Sequence, residues 1–248
     1  MKVFRVFTVA TLFLALAAGS AMAIPVLGGE DPDLQEVLDS ITVSPNLGVS
    51  SVDVTTDYLA DTTDSYWNVT ATGGAVSTMI IEVAGNSGVN TFGIYDYADT
   101  SNRVELFGGA ATTGTSSLLR MFADGTVEVN FGGAPGGLFS STTFGFYLSA
   151  PDGVFYSDTT NNSDGTDHML AYQGTNTDTV QIGGLAPGLW TNNEYILAWE
   201  DLFGGGDMDY QDMVLMVESV KPVPEPATIL LLGGGLLGLA YTKRRRRA

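Results

Sequence analysis

Ser117-Leu118-Leu119-Arg120-Met121-Phe122-Ala123-Asp124-Gly125-Thr126-Val127-Glu128-Val129-Asn130-Phe131 is the stretch that decides the fold class. Asp124-Gly125 is a dipeptide favoured in two-residue hairpin turns, because both residues tolerate the positive φ such turns require. Short apolar and β-branched runs flank it, which predicts paired strands over Ser117–Ala123 and Thr126–Phe131. The same texture continues outward. Further strands are expected at Val76–Val83, Thr91–Tyr97, Arg103–Phe107, Thr143–Ser149, Val154–Ser157, Asp178–Ile182, Glu194–Trp199 and Met213–Ser219. Short runs at this rhythm, without long helical patterns between them, predict an all-β body, an antiparallel β-sandwich or jelly roll.

One helical signal stands upstream of the strands. Asp31 suits an N-cap with Pro32 at the first helical position, and Leu34, Val37, Leu38 and Ile41 share one face. A short surface helix packed on the body is expected there. Phe144, Phe146, Tyr147, Phe155, Tyr156, Trp190, Tyr195 and Trp199 gather in the C-terminal half. Aromatic residues of a sandwich mostly fill its interior, the alternative being an exposed platform for stacking on sugar rings.

Charge is distributed unevenly. The 248 residues include 28 acidic and 10 basic ones, but Ile24 to Val220 holds 27 acids against only Arg103 and Arg120, a net charge of −25. Such a body repels phosphate backbones and argues against nucleic-acid partners. The chain has no cysteine, which removes disulfides, thiolate metal sites and cysteine nucleophiles together. His168 is its one histidine, which removes multi-histidine zinc chemistry.

Both ends read as address labels. Lys2 and Arg5 precede an apolar run from Val6 to Ala18, and Ala21 and Ala23 supply the small residues a signal peptidase accommodates. Residues 1–23 are expected to be a cleavable signal peptide, with an N-terminal anchor as the alternative. At the other end, Pro224-Glu225-Pro226 holds the backbone extended. A short hydrophobic helix is expected next, a membrane segment over 227–242, followed by Lys243-Arg244-Arg245-Arg246-Arg247. The basic cluster stays on the cytoplasmic side and leaves the body outside, in agreement with the N-terminal signal. The chain thus divides into 1–23, an N-terminal segment 24–75 with the helix, a sandwich body 76–220, and a tail 221–248.

This tail resembles the PEP-CTERM sorting signal of Gram-negative bacteria, on Pro224, Glu225 and Pro226, the glycine-interrupted apolar segment and the terminal arginines. The resemblance implies processing by an exosortase, a membrane-embedded transpeptidase-like protease, in bacteria that make exopolysaccharide and biofilms or flocs. A plain C-terminal tail anchor is the other reading.

Within the body, Trp199-Glu200-Asp201-Leu202-Phe203-Gly204-Gly205-Gly206-Asp207-Met208-Asp209-Tyr210-Gln211-Asp212 is the densest acidic stretch. Clustered like charges are costly unless protonated, solvated or shared by a cation. Calcium takes 6–8 oxygens, which an acidic glycine loop can supply. The same residues also suit a solvated turn between two strands. With Asp207 at position one the stretch is not an EF-hand loop, because Gln211 falls at position five and Asp212 stands where the loop requires glycine.

The segment from Phe144 to Glu218 resembles the bacterial domain-of-unknown-function 4114 family, on Phe155-Tyr156-Ser157, Asn162, Asp164-Gly165, His168, Trp199-Glu200-Asp201 and Gly206-Asp207 through Val214. The resemblance implies an all-β exported or surface protein with no established enzyme activity and an acidic loop suspected of calcium binding. Its implied ligands are Asp207, Asp209 and Asp212, then Glu200 and Asp201, with Asn162, Asp164 and His168 packed beside them. Gln211 departs from the shorter asparagine often found there.

Together these readings predict an exported, non-enzymatic cell-surface or extracellular-matrix protein. It would cross the inner membrane, be anchored transiently by its C-terminus, bind calcium and associate with anionic exopolysaccharide or biofilm. The alternative is a secreted glycan hydrolase or lyase using paired carboxylates. No catalytic residue is predicted, since a serine triad would depend on His168 and no G-x-S-x-G elbow, P-loop or dinucleotide fingerprint occurs. A purely structural module, whose acidic loop binds nothing specific, is the third possibility.

Overall fold

The computed structural model describes residues 24–28, 31–72, 74–82, 88–131 and 136–224. Ala21 and Ala23, Glu225 and Pro226, and the apolar segment 227–242 lie outside the described residues. Among the described residues no helix is long and apolar enough to cross a membrane.

Helix α1 spans Leu34–Ile41, and its N-cap is Asp33, two residues later than expected. The Asp33 carboxylate accepts from the Glu36 N–H at 2.9 Å, and the Glu36 carboxylate accepts from the Asp33 N–H at 3.0 Å. This reciprocal box satisfies two otherwise orphaned donors. Asp31 cannot form it, because Leu34 stands where the second acid would be, so Pro32 falls outside the helix. Leu34, Val37, Leu38 and Ile41 are all buried, as the helical spacing predicts.

A second short helix, α2, covers Asp61–Asp64. The strands run β1 Thr42–Ser44, β2 Trp67–Val69, β3 Ala75–Glu82, β4 Thr91–Asp96, β5 Asp99–Phe107, β6 Ser116–Met121, β7 Thr126–Val129 and β8 Gly137–Leu138. They continue with β9 Phe144–Ala150, β10 Gly153–Tyr156, β11 Met169–Gln173, β12 Thr179–Val180, β13 Gly188–Leu189, β14 Glu194–Trp199, β15 Met213–Glu218 and β16 Val220–Pro222. One sheet has six strands in the order β16-β2-β9-β4-β5, with β10 on β9. The other has seven in the order β11-β14-β15-β3-β6-β7-β8, and β1-β12-β13 form a small third sheet. The pairings are antiparallel, which makes this an all-β sandwich. Residues from the 24–75 segment are woven into it: β2 joins the six-stranded sheet and β1 pairs with β12.

The hairpin at Asp124-Gly125 forms between β6 and β7 with a longer turn than the two-residue type. Gly125 N–H donates to the Phe122 carbonyl and Phe122 N–H to the Thr126 carbonyl, both at 2.9 Å. Gly125 alone takes positive φ, at 87°, while Asp124 uses its carboxylate to accept from the Thr126 N–H. That pattern is a three-residue turn with its glycine in the left-handed region.

The interior lies between the two large sheets. Trp67 of β2 meets Tyr195 of β14 edge-on at 4.9 Å, and Phe92 of β4 meets Trp199 of β14 at 6.0 Å. The expected core aromatics Phe144, Phe146, Tyr147, Phe155, Trp190, Tyr195 and Trp199 are all buried, and Tyr156 is half-buried. The seven-stranded sheet is covered on its outer face too. There Ile80, Leu170, Ile196, Ala198, Val214 and Met216 pack with the apolar side of α1 and with Val52, Val180, Trp190 and Tyr210. Double coverage explains why β14 and β15 read as unbroken apolar runs and lack the alternation of a one-sided sheet.

Candidate cation site

Trp199 pairs with Met213, so the acidic stretch is the connection from β14 to β15. Glu200 and Asp201 leave one strand as Asp212 enters the next, and the Asp201 N–H donates to Asp212 Oδ2 at 2.8 Å. Between them Gly204, Gly205 and Gly206 all take positive φ, and Met208 and Tyr210 also lie in the left-handed region. At Gly206 the requirement is steric as well, since a Cβ there would sit 2.3 Å from Glu200 Oε1. Tyr210 is fully buried in the outer cluster, and its hydroxyl donates to the Asp167 carbonyl at 2.8 Å, pinning the loop to the sheet.

This path brings together all five acids singled out from the sequence. One carboxylate oxygen each from Glu200, Asp207 and Asp209 lies within 4.8 Å of the others, and the same holds for Glu200, Asp201 and Asp212. Asp207 is exposed and the other four are buried. Glu200 is 0 % exposed, and no donor from another residue reaches its Oε2. Burial, then the nearby charge of Asp212 and a hydrogen bond with it, followed by Asp207 and Asp209, push the Glu200 carboxyl up to about 9. Burial also pushes Asp212 up, against the opposing hydrogen bond from Asp201. Neither arginine of the body is placed to compensate. Arg120 pairs with Glu128 at 3.0 Å, and Arg103 lies over the Tyr147 ring.

The polar loop before β11 braces this connection. His168 Nε2 is 2.8 Å from Asp164 Oδ2, His168 Nδ1 is 3.0 Å from the Glu200 carbonyl, and the ring stacks on Phe155. Asp164 Oδ2 also accepts from the Gly204 N–H at 2.7 Å. Burial pushes the Asp164 carboxyl up, but the hydrogen bonds from Gly204, His168 and Thr166 outweigh it and hold it below the usual range. Asn162 shapes its own loop, donating to the carbonyls of Tyr156 and Thr166 and accepting from the Tyr156 N–H. Asp164 and His168 thus hold the acidic loop in place from outside the two carboxylate groups, and Asn162 holds the bracing loop.

Two neighbours escape a reading of local spacing. The Asn90 amide donates to Asp201 Oδ2 at 2.8 Å from just before β4. Gln211 donates its side-chain N–H to Asp209 Oδ2 at 2.7 Å, so the departure at this position supports an acid directly. A separate acidic group includes Asp64, fully buried, whose carboxyl is pushed well up by burial and then by Asp167 and Asp61. Asp167 is pushed up to about 7 by burial and then by Asp61. Asp61 and Asp64 come from α2, and sequence distance hides their proximity to Asp167.

The donors of the main group are oxygens from carboxylates, the chemistry of a hard cation such as calcium. Oxygens within 4.8 Å of one another fit around an ion whose bonds are ~2.3–2.6 Å long. Glycan hydrolysis instead calls for a cleft flanked by two acids. Clefts of about 370 and 470 Å³ are lined by none of the five acids. Glu194 and Glu218 do face each other in a cleft, but its volume of about 80 Å³ is below the ~300 Å³ typical of ligand pockets.

The described residues thus form an antiparallel β-sandwich with an acidic connection from β14 to β15 and with β16 as an edge strand. Residues 121–220 match a domain of unknown function (DUF4114), and residues 222–247 match the PEP-CTERM protein-sorting motif. The first match starts upstream of the 144–218 resemblance and contains both the acidic loop and the bracing loop, while Asn90, Asp61 and Asp64 precede it. The sorting motif indicates export, transient C-terminal anchoring in the membrane and processing by an exosortase-type membrane protease. Neither match indicates a catalytic family. No curated protein and no solved structure matches the chain.

Proposed function

We propose that the protein is a non-enzymatic component of the cell surface or extracellular matrix whose β14–β15 connection binds calcium. The observation that carries this reading is the burial of Glu200, Asp201, Asp209 and Asp212 around one loop while both arginines of the body are engaged elsewhere. Carboxylates withdrawn from water need a proton or a cation, and oxygen-only donors favour a hard divalent ion. A calcium ion would order the loop, and the exposed Asp207 leaves that side open to an outside ligand. With a net charge of −25 between residues 24 and 220, divalent cations are also the natural bridge to an anionic exopolysaccharide of a biofilm.

Thermal melts test this reading. Residues 24–224 are melted in excess EDTA and then in millimolar calcium, beside an Asp207→Asn/Asp209→Asn/Asp212→Asn variant. Saturation at 100 times Kd adds roughly 2.7 kcal/mol, which raises Tm by about 5–11 °C in a domain of this size. The variant should lose the rise, and magnesium should reproduce it poorly, because it demands a tighter octahedral shell. No rise, or an equal rise in the variant, refutes the proposal.

A further inference from the structure

We infer that the acidic loop holds two calcium ions bridged by the Glu200 carboxylate. This rests on the calcium reading above and extends it from one ion to a paired centre. The five acids form two groups that share a single member, Glu200. The outer group, Glu200, Asp207 and Asp209, includes the exposed Asp207, whereas every member of the inner group, Glu200, Asp201 and Asp212, is buried. A carboxylate has two oxygens and can bind an ion through each, as in two-metal sites whose ions lie ~3.5–4 Å apart. Of the five, Glu200 is the residue whose second oxygen is left over when ionised: it is fully buried and no donor reaches its Oε2.

The charge count favours the same answer. Five ionised carboxylates carry −5, so one divalent ion leaves −3 around a largely buried group and two leave −1. Residual buried charge is costly, and the body has no spare arginine nearby to absorb it. Oxygen supply points in the same direction, since five carboxylates offer more oxygens than the 6–8 one ion takes. The side-chain oxygens of Asn90 and Gln211 are also buried without partners, on amides whose nitrogens hold Asp201 and Asp209.

The test is stoichiometry. The full chain, in detergent and stripped with EDTA, is titrated with calcium by isothermal calorimetry, beside Asp207→Asn and Glu200→Gln. Two equivalents are expected for the unaltered chain and one for Asp207→Asn. Glu200→Gln should weaken both by at least tenfold, with its fold checked by circular dichroism in EDTA. One equivalent in the unaltered chain overturns the paired centre and leaves the calcium reading standing. None overturns both. Two equivalents retained in Asp207→Asn also overturn the paired centre, and this exposed position decides the matter should Glu200→Gln fail to fold.

Discussion

Stripped of divalent cations, this protein should become less stable as pH rises from 6 to 8, and Glu200 should be the main cause. Its carboxyl titrates near 4.5 in the unfolded chain and is pushed up to about 9 by burial and by the acids around it in the folded one. Below pH 4.5 both states hold the proton and nothing changes. Above that value the unfolded state has lost the proton that the folded state still carries, so stability falls by up to about 1.36 kcal/mol per pH unit until the folded group ionises. From pH 6 to 8 the loss from Glu200 alone is at most about 2.7 kcal/mol, a fall of about 5–11 °C in Tm for a domain of this size. Asp167, pushed up to about 7, adds to the fall in the lower half of the window, and Asp212 is shifted in the same direction. Asp96 and Asp164 are held below the usual carboxylate range, so the stability they contribute is lost only under more acidic conditions. Under the proposed calcium reading the ion replaces the proton, so the decline should vanish or reverse when calcium is present. The assay is a set of circular-dichroism melts at pH 6, 7 and 8, in EDTA and in calcium, on the unaltered chain and on Glu200→Gln. A flat Tm in EDTA refutes the reasoning, as does the same decline in Glu200→Gln.

Four other substitutions separate the site from the scaffold. Gly206→Ala places a Cβ 2.3 Å from Glu200 Oε1 and should abolish the calcium-dependent rise in Tm, whereas Gly204→Ala, with nothing within 4 Å, should keep it. Gly204 lies in the left-handed region, so Gly204→Ala should lose about 1–2 kcal/mol in EDTA, and Gly206→Ala, which adds a clash to its positive φ, should lose more. Asp33→Ala removes the capping box of α1 and should lower the urea midpoint by the equivalent of about 0.5–2 kcal/mol, equally with and without calcium. Phe92→Ala empties the centre of the sandwich and should destabilise by about 3–5 kcal/mol in the same urea titration, again independently of calcium.

The strands legible in the sequence are those whose apolar runs are long and bounded by glycine or polar turns. Glu194–Trp199 is reproduced at both ends, and the other predicted runs fall on β3, β4, β5, β6, β7, β9, β10, β12 and β15. Most of the strands missed are two or three residues long, such as β2 and β16, and exist because a neighbour offers an edge. No local pattern marks such a segment. The miss at Met169–Gln173 has another cause: β11 is buried on both faces beside a polar loop, so it lacks alternation and flanking turn signals alike. For α1, helical spacing identified the buried face, while the start depended on which aspartate has a partner acid three residues on.

The candidate site was legible for a reason that does not extend to its surroundings. Its five acids come from one loop of thirteen residues between paired strands, so spacing already grouped Asp207, Asp209 and Asp212, and the family resemblance added Glu200 and Asp201. Asn90 reaches Asp201 only because β4 and β14 lie across the same interior, a consequence of topology that no spacing records. The decisive property, burial, is also tertiary. With 27 acids between residues 24 and 220, a count of carboxylates singles out no position. What distinguishes Glu200 from an acid such as Asp124, which tips an exposed turn, is that the double-covered sheet draws the start of its loop inward together with β14. The apolar run that makes β14 easy to recognise thus also removes water from the carboxylate at its end, and core packing and the need of Glu200 for a proton or a cation arise from the same few residues.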